Sequence, residues 1–172
     1  MSLCVLAALT LLGAENPPTP GPEVAECLAR VRAIHGGTGP WAVVGYRMGE
    51  RALRELKLPR QSFAISVVHR SPAEVQYSCV ADGLQASTGA SAGKLNLRLE
   101  EAPADRLRTT ILDRKSGRTL TFTVKPGLAR SILDVPSDRL EREGERVARL
   151  PDGEIFDLVE TKVETPARPS SP

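Results

Sequence analysis

Residues 79–97 read CVADGLQASTGASAGKLNL, and this stretch decides how the chain is put together. Its first half, up to Ser87, suits a short helix, and Gly89 stands where a helix commonly ends in a left-handed residue. Its second half leads into Leu95, Leu97 and Leu99, which alternate with polar residues as a strand does. A helix that runs through a glycine-rich loop into a strand is the reverse of a phosphate-binding loop. Gly89-Ala90-Ser91-Ala92-Gly93-Lys94 is also one residue short between its glycines, and Leu95 replaces the hydroxyl that would reach magnesium. Nucleotide binding is therefore not expected.

Working outward, Pro22 suits a first helical turn, and Val24, Leu28 and Val31 recur at helical spacing, giving a helix over 22–34. His35-Gly36-Gly37-Thr38-Gly39 is a loop, and Pro40 opens a second helix to about residue 57. On that helix Gly45, Gly49 and Ala52 leave room for a close neighbour, either another backbone or a ligand. Residues 62–69 and 75–79 read as strands. Residues 107–113 and 119–125 flank the turn Lys115-Ser116-Gly117 as a hairpin. Residues 126–134 and 137–149 read as helices, Pro151-Asp152-Gly153 as a turn, and 155–163 as a last strand. Helices first and strands after, with hairpins, predict a single α+β domain with N-terminal helices packed on a mixed or antiparallel sheet.

At 172 residues one domain is the natural expectation, at roughly 100–200 residues per domain. Only 3% of residues are aromatic, so the core has to be aliphatic. A net charge of +2, with Arg interleaved with Glu and Asp, gives no basic footprint for nucleic acid. Residues 1–14 contain an apolar run of signal-peptide length that lacks a preceding Lys or Arg. We read it as an export signal, with a cytoplasmic protein as the alternative. Residues 15–21 form a Pro-rich linker and 165–172 a Pro/Ser-rich tail, which leaves 22–164 as the domain. No segment is long enough to span a membrane.

The residues that can carry chemistry fall in two places. Cys79 and Asp82 lie three apart, on one face if helical, with Gln85 three further along. His35 is the partner that could join them, either as metal ligands or as a Cys–His dyad. The alternative for Cys79 is a buried structural thiol. Cys27 and Cys79 could pair in an oxidising compartment or remain free.

Together these stretches resemble the FmdE family, named for the E component of formylmethanofuran dehydrogenase. The resemblance rests on His35-Gly36 and Pro40, then Gly45-Tyr46-Arg47-Met48-Gly49. It continues through Cys79, Asp82-Gly83-Leu84-Gln85, Thr88-Gly89 and Gly93-Lys94-Leu95-Asn96-Leu97. It implies a compact α+β domain, often a homodimer, with a zinc site made from His and Cys of both motifs. It further implies association with a molybdenum or tungsten redox enzyme as a non-catalytic subunit. Here the metal candidates are His35, Cys79 and Asp82, and the ligand-binding candidates Gly36, Gln85, Lys94 and Asn96. Gly37 and Gly39 stand where the family carries a second His and a loop Cys, and Ala90 replaces a frequent Cys. Any zinc would therefore be held weakly. The sequence reads as a non-catalytic ligand-binding or degenerate metal-binding module. An accessory redox-enzyme component and a Cys79/His35-dependent enzyme are the alternatives.

Overall fold

The computed structural model describes residues 21–162; the expected export signal, nearly all of the linker and the tail lie outside the described residues. The helices α1 (Pro22–His35) and α2 (Pro40–Leu56) both start on a proline whose missing N–H would have had no helical partner. Then come β1 (Ile65–Ser71), α3 (Val75–Thr88), β2 (Leu97–Glu101), β3 (Arg108–Asp113) and β4 (Arg118–Val124). The chain continues through α4 (Pro126–Ser131), α5 (Leu140–Arg149), α6 (Asp152–Ile155) and β5 (Phe156–Lys162).

The five strands form one mixed sheet in the order β2-β1-β3-β4-β5. Only β1 and β2 run parallel, because α3 carries the chain back across the sheet between them; the other pairs are antiparallel. Ile65 and Val67 in β1, Ile111 in β3, and Leu120 and Phe122 in β4 are fully buried, whereas the alternate positions Thr110, Leu112, Thr119 and Thr121 stay half-exposed. One face of the sheet therefore holds the core and the other faces outward. Phe122 meets Phe156 edge to face at 5.0 Å, and Trp41 meets Tyr77 likewise at 5.1 Å. With so few aromatic residues, these pairs fasten β5 to β4 and α3 to α2.

The expected α+β domain is present, and so is the β3–β4 hairpin, where Gly117 adopts φ +72°. Val75–Cys79 differs from the sequence reading: it is the first turn of α3 and not a strand. Val75 and Tyr77 favour strands as residue types, but no partner strand meets them. Val75 is exposed, while Tyr77 packs on Trp41 and Val80 enters the core, a helical sequence of exposures. Residues 137–139 form a 3-10 turn ahead of α5, and Pro151-Asp152-Gly153 leads into the short helix α6.

The small residues of α2 meet another backbone. A Cβ on Gly45 would lie 2.0 Å from the Val80 carbonyl oxygen, and one on Gly83 would lie 1.8 Å from that of Ala42. A Cβ on Gly49 would lie 1.9 Å from the side-chain Oγ of Ser87. Thus α2 and α3 cross in direct backbone contact, which brings α3 against the end of α1 as well.

Candidate functional site

His35 is the last residue of α1. The helix ends there because Gly36 turns left-handed at φ +86° and donates its N–H to the Arg32 carbonyl. This aims the imidazole at α3, and Nδ1 lies 2.8 Å from Asp82 Oδ2. An ionised carboxylate can only accept, so Nδ1 carries the proton of this contact. Asp82 is 46% exposed and His35 23%, so the pair sits at the surface and orients the ring more than it adds stability.

Cys79 is one turn before Asp82 on the same half-exposed stripe of α3, and Gln85 one turn after it. The opposite face, with Val80, Gly83 and Leu84, is buried. Burial pushes the Cys79 thiol up, and the Asp82 carboxylate adds to the effect. Both causes keep it protonated near neutral pH, the reverse of what a nucleophile needs. Cys27 and Cys79 are both free thiols.

The other ligand-binding candidates divide. Gly36 adjoins His35 and forms the cap just described. Lys94 and Asn96 belong to the connection between α3 and β2, and Gly89, where it begins, lies about 10 Å along the helix axis from Asp82. Lys94 Nζ donates to the Gly89 carbonyl at 2.9 Å and sits 5.3 Å over the Phe63 ring. Asn96 is buried, and its Oδ1 accepts the Ser91 N–H at 3.0 Å. Thr88 Oγ1 donates to the Leu84 carbonyl and accepts the Ala90 N–H. This half of the motif closes a helix and starts a strand through these hydrogen bonds, which leave the buried Asn96 Nδ2 without a partner among the described residues.

The loop after α1 is open. A Cβ added to Gly37 or Gly39 would meet nothing within 4 Å, and neither glycine has a positive φ. No steric demand of the fold accounts for glycine at these two positions.

A resident zinc does not fit this set. Among the described residues no three His, Cys, Asp or Glu side chains are gathered so that they could hold a metal ion. A structural zinc takes four ligands and a catalytic one at least three. Of the candidates, His35 and Asp82 bond to each other, and Cys79 lies one turn before Asp82 on α3.

Sequence reasoning passed over His69. It is buried in β1, with Nδ1 2.9 Å from Thr109 Oγ1 and Nε2 3.1 Å from the Tyr77 carbonyl oxygen. Since a carbonyl only accepts, Nε2 is the protonated nitrogen and Nδ1 takes the Thr109 hydroxyl proton. Burial lowers its pKa to about 4, partly offset by the bond to Tyr77. The parity of Ile65, Val67 and His69 along the strand is the signal that places it on the core face.

Comparison with known proteins agrees with this architecture. A solved structure, a tungsten formylmethanofuran dehydrogenase FmdE-like protein from Syntrophus aciditrophicus, superposes with a TM-score of 0.54. It is 18% identical, over 82% of this chain and 73% of that one, so the likeness concerns the fold. No protein of curated function matches. The family described as FmdE, molybdenum formylmethanofuran dehydrogenase operon, matches residues 34–164 and so takes in the His35 loop, all of α2 and α3, and the whole sheet. The chain belongs to the FmdE family.

Proposed function

We propose that this FmdE-family domain is a non-catalytic ligand-binding module whose binding face is the His35–Asp82 pair with Cys79, on a loop from which the family's metal ligands have been lost. The observation that supports it is the 2.8 Å contact between His35 Nδ1 and Asp82 Oδ2 beside an unobstructed glycine loop. Nε2 is the ring nitrogen that the Asp82 contact leaves for a ligand. Gly36 and Gly37 leave backbone accessible next to it, so a small polar ligand suits this face. Export through residues 1–14 belongs to this proposal, and so does weak zinc binding at most.

Rapid chemistry at Cys79 would contradict the non-catalytic reading, because the alternative enzyme needs a thiolate there. Iodoacetamide labelling of the folded protein near pH 7, read by peptide mass spectrometry so that Cys4, Cys27 and Cys79 are resolved, is expected to modify Cys79 more slowly than a free cysteine. In urea its rate should rise to the free value. Labelling of Cys79 in the folded state faster than in urea would overturn the reading and favour a Cys79/His35 enzyme.

The family and its structural relative, a tungsten formylmethanofuran dehydrogenase FmdE-like protein, support a second reading, an accessory component of a tungsten or molybdenum redox enzyme. That reading predicts a stoichiometric complex on purification from the native source.

A further inference from the structure

Arg47, Arg51 and Arg54 follow one another along one face of α2 and line a cleft of about 970 Å³, bounded by the start of α1 and by the α5–α6 corner. All three guanidinium groups converge on a single carboxylate, Asp152, which is 15% exposed. Arg47 Nη2 donates to Asp152 Oδ1 at 2.7 Å, Arg51 Nη1 to Oδ2 at 3.2 Å and Arg54 Nη2 to Oδ2 at 3.4 Å.

The three are not equivalent. Arg47 also donates to the Ala148 carbonyl at 2.7 Å and is mostly buried, so it ties α2 to the α5–α6 corner. Arg51 and Arg54 hold Asp152 only through longer bonds and are more exposed. Arg51 gives its Nε to Glu55, while Arg54 has the one long bond to Asp152. With five N–H donors on each guanidinium, both keep donors facing the cleft. Asp152 and Glu55, which pairs with Arg51, are two carboxylates against three cations, so one positive charge is left over. The other acidic side chains nearby are engaged: Glu50 with Arg60 and Glu26 with Arg30. Glu23 lies on the α1 rim, which confines the positive seat to the α2 wall.

Beside that seat the lining mixes the paired carboxylates Glu26 and Glu50 with Cys27 and Tyr46. Burial pushes the Cys27 thiol up to about 12, and burial followed by the Glu50 charge raises the Tyr46 phenol. Neither becomes an anion at neutral pH. Val24 and Leu150 add apolar surface. We propose that this cleft binds a small organic anion, with its carboxylate or phosphate group on Arg51 and Arg54 and its apolar body along Tyr46, Val24 and Leu150. Glu23 and His35 lie at opposite ends of α1, about 18 Å apart, so this site is distinct from the His35 face.

The test is an amide-detected NMR titration of the full chain with phenyl phosphate, phenylacetate and inorganic phosphate. Phenyl phosphate or phenylacetate should shift the resonances of Arg51, Arg54 and Leu150 and saturate, with the stronger of the two naming the anionic group. Inorganic phosphate should bind more weakly than phenyl phosphate for want of the apolar body. Arg51→Gln and Arg54→Gln, made singly, should each weaken binding about tenfold, the value of one charge-assisted hydrogen bond. Arg54 is the most exposed of the three, so its variant keeps the fold, and Cys79→Ala should leave the affinity unchanged. The proposal is overturned if neither aromatic anion shifts these resonances at millimolar concentration. It is equally overturned if both arginine variants bind as the parent does, or if inorganic phosphate binds as well as phenyl phosphate.

Discussion

Gly83→Ala is expected to destabilise the domain by about 3–5 kcal/mol, among the largest effects a single methyl group can have. The added Cβ would lie 1.8 Å from the Ala42 carbonyl oxygen and 2.6 Å from the Tyr46 nitrogen. Both are backbone atoms inside α2, so neither can rotate away. The helices would have to move apart, and the separation would spread to Gly45 against Val80 and Gly49 against Ser87. Alanine's better helix propensity returns only about 1 kcal/mol. Gly37→Ala is the control, since a Cβ there meets nothing within 4 Å, and it should change stability by about 0.5 kcal/mol or less. Urea unfolding followed by circular dichroism measures both. A Gly83→Ala protein within about 1 kcal/mol of the parent would mean that α2 and α3 do not touch as described.

Acidification should weaken the fold through His69. Its folded pKa of about 4 lies below the ordinary value of 6.5, so the unfolded chain binds the proton more readily. The contribution of neutral His69 is fully present above pH 6.5 and is lost as the pH falls towards 4. At about 1.4 kcal/mol per unit, the loss approaches 3 kcal/mol. A charged ring at this site would have to give up either the Thr109 hydroxyl proton on Nδ1 or its burial. His69→Gln removes the titration, so the difference between variant and parent isolates the effect from carboxylates that titrate lower. Urea midpoints at pH 7, 5.5 and 4.5 should fall more for the parent than for the variant. Parallel loss in the two proteins would refute a buried neutral His69.

Both effects depend on features that the sequence announces unequally. Gly45 and Gly49 point to a close neighbour on α2, but which backbone supplies it depends on how α3 crosses, and no local pattern encodes a crossing. The hairpin of β3 and β4 is legible because pairing and turn are adjacent in the chain. The parallel pairing of β1 with β2 is not, since it depends on where α3 lays the chain down. Val75 and Tyr77 show why local propensity misled: strand-forming residue types open a helix when there is no strand to pair with and Trp41 is there to pack against.

At the site, the sequence placed His35, Cys79 and Asp82 together, and the structure shows His35 on Asp82, with the Asp82 charge acting on Cys79. It could not show how far Lys94 and Asn96 lie from them, because spacing in a string of letters does not give distance. The structure places both in the loop after α3, with Lys94 bonded to Gly89 and Ser91 to Asn96. Arg47, Arg51 and Arg54 recur at helical spacing, but Asp152, which draws them together, lies about 100 residues further along the chain.

The central proposal is that Gly37 and Gly39, standing where the family carries a His and a Cys, deprive this fold of the metal site expected of the family. The measurement that bears on it most directly is zinc content by mass spectrometry, for the chain purified without chelator and for the Gly37→His/Gly39→Cys double variant. Both positions have room for a side chain. The account predicts less than stoichiometric zinc in the parent and about one zinc per chain in the double variant, lost again when Cys79→Ala is added. Stoichiometric zinc in the parent, or none in the double variant once its fold is verified, would contradict it.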